Sequence, residues 1–218
     1  MILVEDLARK FGDIWALDGV SFVIGSGRVA SVLGPNGAGK TTLVRILITE
    51  LLPTRGKAEV MGLDVVKDAE KLRGRIAAVP QEGQPIGFLT PYEFIYAYLL
   101  LRGLSRREAR RRALRAIDEL ELGEVKGREI QTLSGGTKRR VLLAAVLAAD
   151  ADVVFLDEPT TGLDVVSRRI VWNAIGAMRN KGATVLLTTH YVEEAQALSD
   201  VVVVLNKGRV VDTGPPEA

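Results

Sequence analysis

The chain has 218 residues, 47% hydrophobic and 26% charged with 22 glycines, a balance that fits a soluble globular α/β protein and excludes a disordered or fibrous one. A formal net charge of +2 is too small to argue for nucleic acid, and the absence of cysteine excludes a disulfide framework and a thiolate metal site. The opening MILVEDLARKF puts acidic residues after four apolar ones, unlike a secretory leader, and the longest apolar run, Val141–Ala149, is less than half of the ~20 residues a membrane span needs. The chain is expected to stay inside the cell, with any membrane association made through partners.

The N-terminal runs ILVEDLARKF and VSFVIGSGRVASVL, joined by Gly/Ser turns, predict an antiparallel β subdomain. Short β-branched runs then alternate with helical patterns: RVASVL (28–33), RIAAV (75–79), DVVFLD (152–157), ATVLLTT (183–189) and VVVVL (201–205). Continuous apolar strands of this kind are buried on both faces, which predicts a parallel sheet covered by helices. After the first of them, TTLVRILITEL (41–51) reads as a helix.

Between Gln81 and Leu122 helices take over. Thr90, Pro91 and Glu93 give an N-cap, a first-turn proline and a capping-box acid for the helix PYEFIYAYLLL. Ser105 with Glu108 repeats the box and opens RREARRRALRAIDELEL, with Ala109, Ala113, Leu114, Ile117 and Leu120 on one face. The arginines of Arg106–Arg115 read as a nucleic-acid patch or, preferably, as a solvated helix face near lipid headgroups. The aromatics Phe88, Tyr92, Phe94, Tyr96 and Tyr98 either pack the helical insert or dock a partner. In QTLSGGTKRRVLL (131–143) a Ser-Gly-Gly turn opens a helix, leaving bare N–H groups at the positive end of its dipole.

GPNGAGKT (34–41) fits G-x-x-x-x-G-K-[ST], after a strand and before a helix, as that motif demands. Its glycines let N–H groups curl around phosphates; Lys40, expected on an exposed loop, neutralises β and γ oxygens, and Thr41 offers its hydroxyl to Mg²⁺. Asp157 ends a buried strand beside the crevice, where it can hold Mg²⁺ through water. Glu158 can polarise the attacking water as general base. His190, the only histidine, and Gln81 stand just past strand ends on the same crevice; either residue type alone is ordinarily a surface, loop or core residue.

In this order the motifs resemble the nucleotide-binding subunit of ATP-binding cassette (ABC) transporters. The resemblance spans Phe11, the loop Gly34, Pro35, Asn36, Gly37, Ala38, Gly39, Lys40, Thr41 and Thr42, then Gln81, the signature Leu133–Thr137, Asp157 with Glu158, the loop ending at Asp164, and His190. It implies an α/β fold with a phosphate-loop (RecA-like) core, an N-terminal antiparallel β subdomain and an inserted α-helical subdomain. The expected organisation is a single domain over 1–218, with 1–80 and 141–218 as core and 81–140 as the helical subdomain.

The resemblance also implies ATP and Mg²⁺ as cofactors. Phe11 or its competitor Trp15 would stack on adenine, and Thr41, Gln81 and Asp157 would serve the metal. Lys40, Glu158 and His190 would be catalytic, and Asp164 would lie at a dimer contact. Two copies would pack head to tail, so that Ser134, Gly135 and Gly136 of one cover the γ-phosphate held by the other. Transmembrane permease subunits are the further partners, on the cytoplasmic side of the membrane, with no nucleic acid. TKRR after the signature glycines is similar to export-type cassettes. A soluble cassette ATPase acting in DNA repair or translation is the other class, but neither coiled-coil arms nor a second cassette is present in the sequence.

Overall fold

The structure, a computed structural model, describes residues 1–216; the last two positions of the domain expected over 1–218 lie outside the described residues. In chain order the elements are β1 (Ile2–Phe11), β2 (Ile14–Ile24), β3 (Val29–Leu33), α1 (Lys40–Leu47), β4 (Arg55–Val60), β5 (Leu63–Asp64), α2 (Ala69–Arg73) and β6 (Ile76–Val79). They continue with α3 (Pro91–Leu101), α4 (Arg106–Glu119), α5 (Gly135–Ala149), β7 (Val153–Asp157), α6 (Val165–Asn180), β8 (Thr184–Thr189), α7 (Val192–Leu198), β9 (Val201–Asn206) and β10 (Arg209–Gly214). Contacts divide the chain into two compact units, one of Met1–Gln81, Asp152–Glu158 and Arg179–Ala218, the other of Glu82–Ala151 and Pro159–Met178.

The first unit holds both sheets. The larger has the order β10-β9-β3-β8-β7-β6. The five apolar runs read from the sequence are β3, β6, β7, β8 and β9, and all five run parallel. Every residue of β7 and β8 is buried, as strands covered on both faces require. β10 closes one edge antiparallel to β9. The smaller sheet, β2-β1-β4-β5, is antiparallel. Its β1 bulges at Asp6 (φ 45°), and Gly56 of β4 faces that bulge with no room for a side chain, since a Cβ there would lie 2.1 Å from the Asp6 carbonyl oxygen.

Leu43, Ile46 and Leu47 of α1 pack into the same buried cluster as Phe155, Leu186 and Val203. At about 1.5–3 kcal/mol for each large apolar side chain, this burial pins α1 on the sheet. The helix expected over 41–51 stops at Leu47: Thr49 turns left-handed (φ 67°), and the Glu50 and Leu51 N–H groups both return to the Arg45 carbonyl. In the parallel register Leu33 lies beside Thr189 and Asp157 beside Thr188, so three strand ends open together on one side.

In the second unit α3, α4 and α5 pack on one another. α3 has the full capping box, with Thr90 and Glu93 each bonded to the other's backbone N–H; the Thr90 N–H and then its hydroxyl hold the Glu93 carboxyl below its usual range. The second box is only half formed. Ser105 accepts the Glu108 N–H, but Glu108 turns to Arg111 and Arg112, which lower its pKa to about 2. Leu114 is 38% exposed and is not on the buried face of α4, which is Ala109, Ala113, Ala116 and Ile117. Five residues past Ala109, Leu114 is rotated away by about 140° at 3.6 residues per turn. Phe88 is 73% exposed, whereas Tyr92, Phe94, Tyr96 and Tyr98 are half-buried, with Tyr92 stacked on Tyr96 at 5.8 Å. No helix among the described residues is long and apolar enough to cross a membrane.

Candidate functional site

The loop 34–39 leaves the end of β3 and enters α1 with glycine where only glycine fits. A Cβ on Gly34 would lie 2.2 Å from the Leu205 carbonyl oxygen, and one on Gly39 would lie 2.4 Å from that of Ala16. Gly39 is also the N-cap of α1, at φ 105°, a conformation that L side chains rarely adopt. The loop is tied down at both ends: Gly34 donates to the Thr189 carbonyl and Gly208 donates to that of Ala38. With no acidic residue in the first turn of α1, the positive end of its dipole faces the loop uncompensated.

Lys40 is buried, not on an exposed loop. Its ammonium donates to the carbonyls of Gly34 (2.8 Å) and Pro35 (3.1 Å) and pairs with Glu158 Oε1 at 3.1 Å. The curl of the loop directs two carbonyls at the same point, which is why the side chain folds inward. Glu158 follows β7 in left-handed backbone (φ 48°), an arrangement that costs a non-glycine residue about 1–2 kcal/mol. Its other oxygen, Oε2, accepts from Gln81 Nε2 at 3.4 Å and stands 3.5 Å from His190 Nδ1. That imidazole nitrogen is buried with no hydrogen bond within normal limits, so it is a polar atom directed at the same carboxylate. The ring of Tyr191 lies 4.0 Å from that of His190.

Thr41 Oγ1 donates to Gln81 Oε1 at 3.2 Å, while Asp157 is buried at the end of β7. Among the described residues no group of three or more His, Cys, Asp or Glu could hold a metal alone. Mg²⁺ does not ask for one: it is ordinarily held by one or two protein groups, substrate phosphates and water. The hydroxyl, amide and carboxylate oxygens of Thr41, Gln81 and Asp157 are hard donors that fit it.

A cavity of about 380 Å³ opens over this cluster, lined by Phe11, Ala16, Asn36, Gly37, Gly39, Lys40, Thr41, Thr42, Gln81 and Glu158, a size that suits a small ligand. Phe11 (45% exposed) borders it. Trp15 (41% exposed) does not, and its ring instead takes the cations of Lys10 and Arg55 at 5.6 and 5.5 Å. Sequence reasoning missed Ala16, whose carbonyl faces Gly39, and Thr188, whose hydroxyl donates to Asp157. A polar pair closing the apolar run TVLLTT was the available signal for the second.

The remaining candidates lie in the second unit. Ser134 is the N-cap of α5, accepting the Thr137 N–H at 3.3 Å and sharing a 2.9 Å hydrogen bond with the Thr137 hydroxyl. Gly135 and Gly136 form the first turn, which contains no acidic residue. A Cβ on Gly136 would come within 3.3 Å of Leu163. The neighbouring Asp164 accepts the N–H (2.9 Å) and the hydroxyl (2.8 Å) of Ser167, which hold its pKa below the ordinary value.

A family model described as ABC transporter matches residues 17–161. A daunorubicin resistance ATP-binding protein of Streptomyces coeruleorubidus is 42% identical over 213 residues, covering 98% of this chain and 67% of the relative. A Nod factor export ATP-binding protein of Ralstonia nicotianae is 35% identical over 216 residues, covering 99% and 67%. The chain spans 64–67% of the length of the first resistance proteins it matches. Among solved structures, a dimeric ATP-binding cassette in a post-hydrolysis state, bound to ADP and Pi, superposes at a TM-score of 0.90 with 26% identity and 100% of both chains covered. The ATP-binding subunit of an ABC transporter superposes at 0.88 with 28% identity, covering 99% of this chain and 90% of the other.

Proposed function

Because the chain belongs to the ABC transporter family, we propose that it is an ATP-binding and ATP-hydrolysing subunit that works as a head-to-tail pair and drives export through separate permease subunits at the cytoplasmic face of the membrane. The observation that carries this reading is the convergence of Lys40, Gln81, Glu158 and His190 on one side of the phosphate loop. In it the loop N–H groups and Lys40 hold the β- and γ-phosphates, and Phe11 lies under the adenine. Mg²⁺, when bound at Thr41, Gln81 and Asp157, neutralises charge on the phosphate oxygens.

Glu158 is the general base. While it is paired with the Lys40 ammonium its Oε1 is occupied, so the pair has to open before that oxygen can accept a proton from water. Terminal phosphates compete for Lys40, which couples substrate binding to release of the base. His190 Nδ1, directed at Glu158 Oε2, then keeps that carboxylate oriented. Ser134, Gly135 and Gly136 of a second copy close over the γ-phosphate, with Asp164 at the contact between copies, so ATP holds the pair together and hydrolysis frees it. The names of the resistance and Nod factor export relatives support outward movement of an organic cargo.

Glu158→Gln keeps the volume of the side chain and loses the base, so hydrolysis should fall by about 10²–10⁴-fold while ATP stays bound. Dimers should accumulate in ATP and Mg²⁺ on size-exclusion chromatography. Wild-type turnover in this variant would remove Glu158 from the chemistry.

A further inference from the structure

One hydroxyl in the first unit is bonded both to the acid that ends β7 and to the backbone of the acid that follows it. Thr188, buried in β8, lies opposite Asp157 in the parallel register. Its Oγ1 donates to Asp157 Oδ1 at 2.6 Å and accepts the Glu158 N–H at 2.9 Å. The direction of these bonds is not arbitrary: an amide N–H can only donate and an ionised carboxylate can only accept, so the hydroxyl proton must point to Asp157. The preceding residues Val185, Leu186 and Leu187 are buried and apolar, and a hydroxyl in such a run is unfavourable unless it is bonded. A β-branched side chain with few rotamers holds the oxygen in place.

We infer that Thr188 is a positioning residue for hydrolysis. Its hydroxyl sets the orientation of the Asp157 carboxylate at the proposed metal position, and pins the backbone N–H of Glu158 so that the left-handed turn sends the Glu158 carboxylate toward Lys40. Two acids with different tasks are thereby kept at a fixed separation by one buried side chain. The inference rests on the hydrolytic reading above.

The test compares Thr188→Val, which removes the hydroxyl at nearly constant volume, with Thr188→Ser, which restores it. Removal of such an outer partner typically costs about 10–100-fold in activity or metal affinity, and that loss is expected in kcat for Thr188→Val with KM for ATP little changed. A second readout is independent of turnover: the gain in affinity for a fluorescent ATP analogue on adding Mg²⁺ should shrink in Thr188→Val, with metal-free affinity unaltered. Thr188→Ser should recover both.

Wild type and Glu158→Gln are measured alongside. If wild type does not hydrolyse ATP, or Glu158→Gln turns over like wild type, the hydrolytic reading fails. If those controls behave and Thr188→Val keeps wild-type kcat and Mg²⁺ gain, the positioning role is overturned alone. Should Thr188→Val not fold, Thr188→Ala takes its place with the same expectation. If neither folds while Thr188→Ser is active, the hydroxyl is a structural requirement and the positioning role is likewise overturned.

Discussion

The two helix N-termini proposed to meet phosphate, those of α1 and α5, differ in what covers them. α1 begins behind a glycine cap with no side-chain hydrogen bond, and a buried ammonium lies within its own loop. α5 begins behind Ser134, whose hydroxyl is already engaged by Thr137. Both offer N–H groups and the positive end of a dipole, but at α1 an ammonium is also bonded to the carbonyls of the loop itself. The difference teaches that the same backbone device can serve as a primary anchor or as a secondary clasp. The α1 loop is equipped to hold a polyphosphate alone, whereas α5 is suited to phosphate already held elsewhere.

The largest break in this comparison is Lys40→Ala. Removing one member of a buried, hydrogen-bonded charge pair costs about 2–5 kcal/mol in binding, so ATP affinity should fall by about 30-fold to several thousandfold in a fluorescent-analogue titration. Since Lys40 is buried against Glu158, the variant should also lose stability, by up to about 3–5 kcal/mol for a buried carboxylate that loses its cation. Adding Glu158→Gln should restore much of the melting temperature but none of the affinity. Unchanged affinity in Lys40→Ala would remove the anchor from α1.

That the lysine is buried was not legible in the sequence, because a loop motif reports which residues are present but not how far the carbonyls of Gly34 and Pro35 turn inward. The parallel strands were legible, since strands buried on both faces read as unbroken apolar runs. β4 was not: Arg55, Gly56 and Lys57 are exposed, and only its far end is apolar. β10 lies at an edge and is mostly exposed, so it lacks the same signal. For the site, contiguous motifs named the loop and the strand-end acids, yet Thr188 reads as an ordinary β-former until the register puts it opposite Asp157. Leu114 adjoins Ala113 in the sequence, but its rotation of about 140° from Ala109 takes it off the buried face of α4.

A smaller effect sharpens the α5 side. Ser134→Asp keeps a good N-cap, so the melting temperature of the purified protein should change little. The added carboxylate would stand where a second copy's γ-phosphate docks, and at such a contact like charges cost several kcal/mol. ATP binding by the isolated chain should therefore survive while ATP-dependent dimers, followed in the Glu158→Gln background by size-exclusion chromatography, disappear. Ser134→Ala separates the two roles, since loss of the cap alone costs about 1 kcal/mol. If Ser134→Asp dimerises as well as the parent, α5 is a capped helix end and not a clasp.

The smallest expected effect concerns Asp164, whose loop packs beside Gly136 at the opening of α5. The Ser167 N–H and then the Ser167 hydroxyl hold its carboxyl below its ordinary value of 3.8. A depressed folded-state pKa means that this carboxylate stabilises the fold above the unfolded value and that the contribution is lost as pH falls through the folded one. Acidification from neutral pH to below 3.8 should therefore loosen the cap on α6 and with it the first turn of α5. Asp164→Asn still offers an acceptor to Ser167 but does not titrate in this range, so it should lose less stability over the same window. Hydrogen exchange at the amides of 135–137, compared between wild type and Asp164→Asn at each pH to cancel intrinsic rates, should diverge only at the acid end, while the amides of 40–43 in α1 show no such difference. Parallel behaviour of the two proteins at 135–137 across the whole range would mean that the Asp164 cap does not govern the opening of α5.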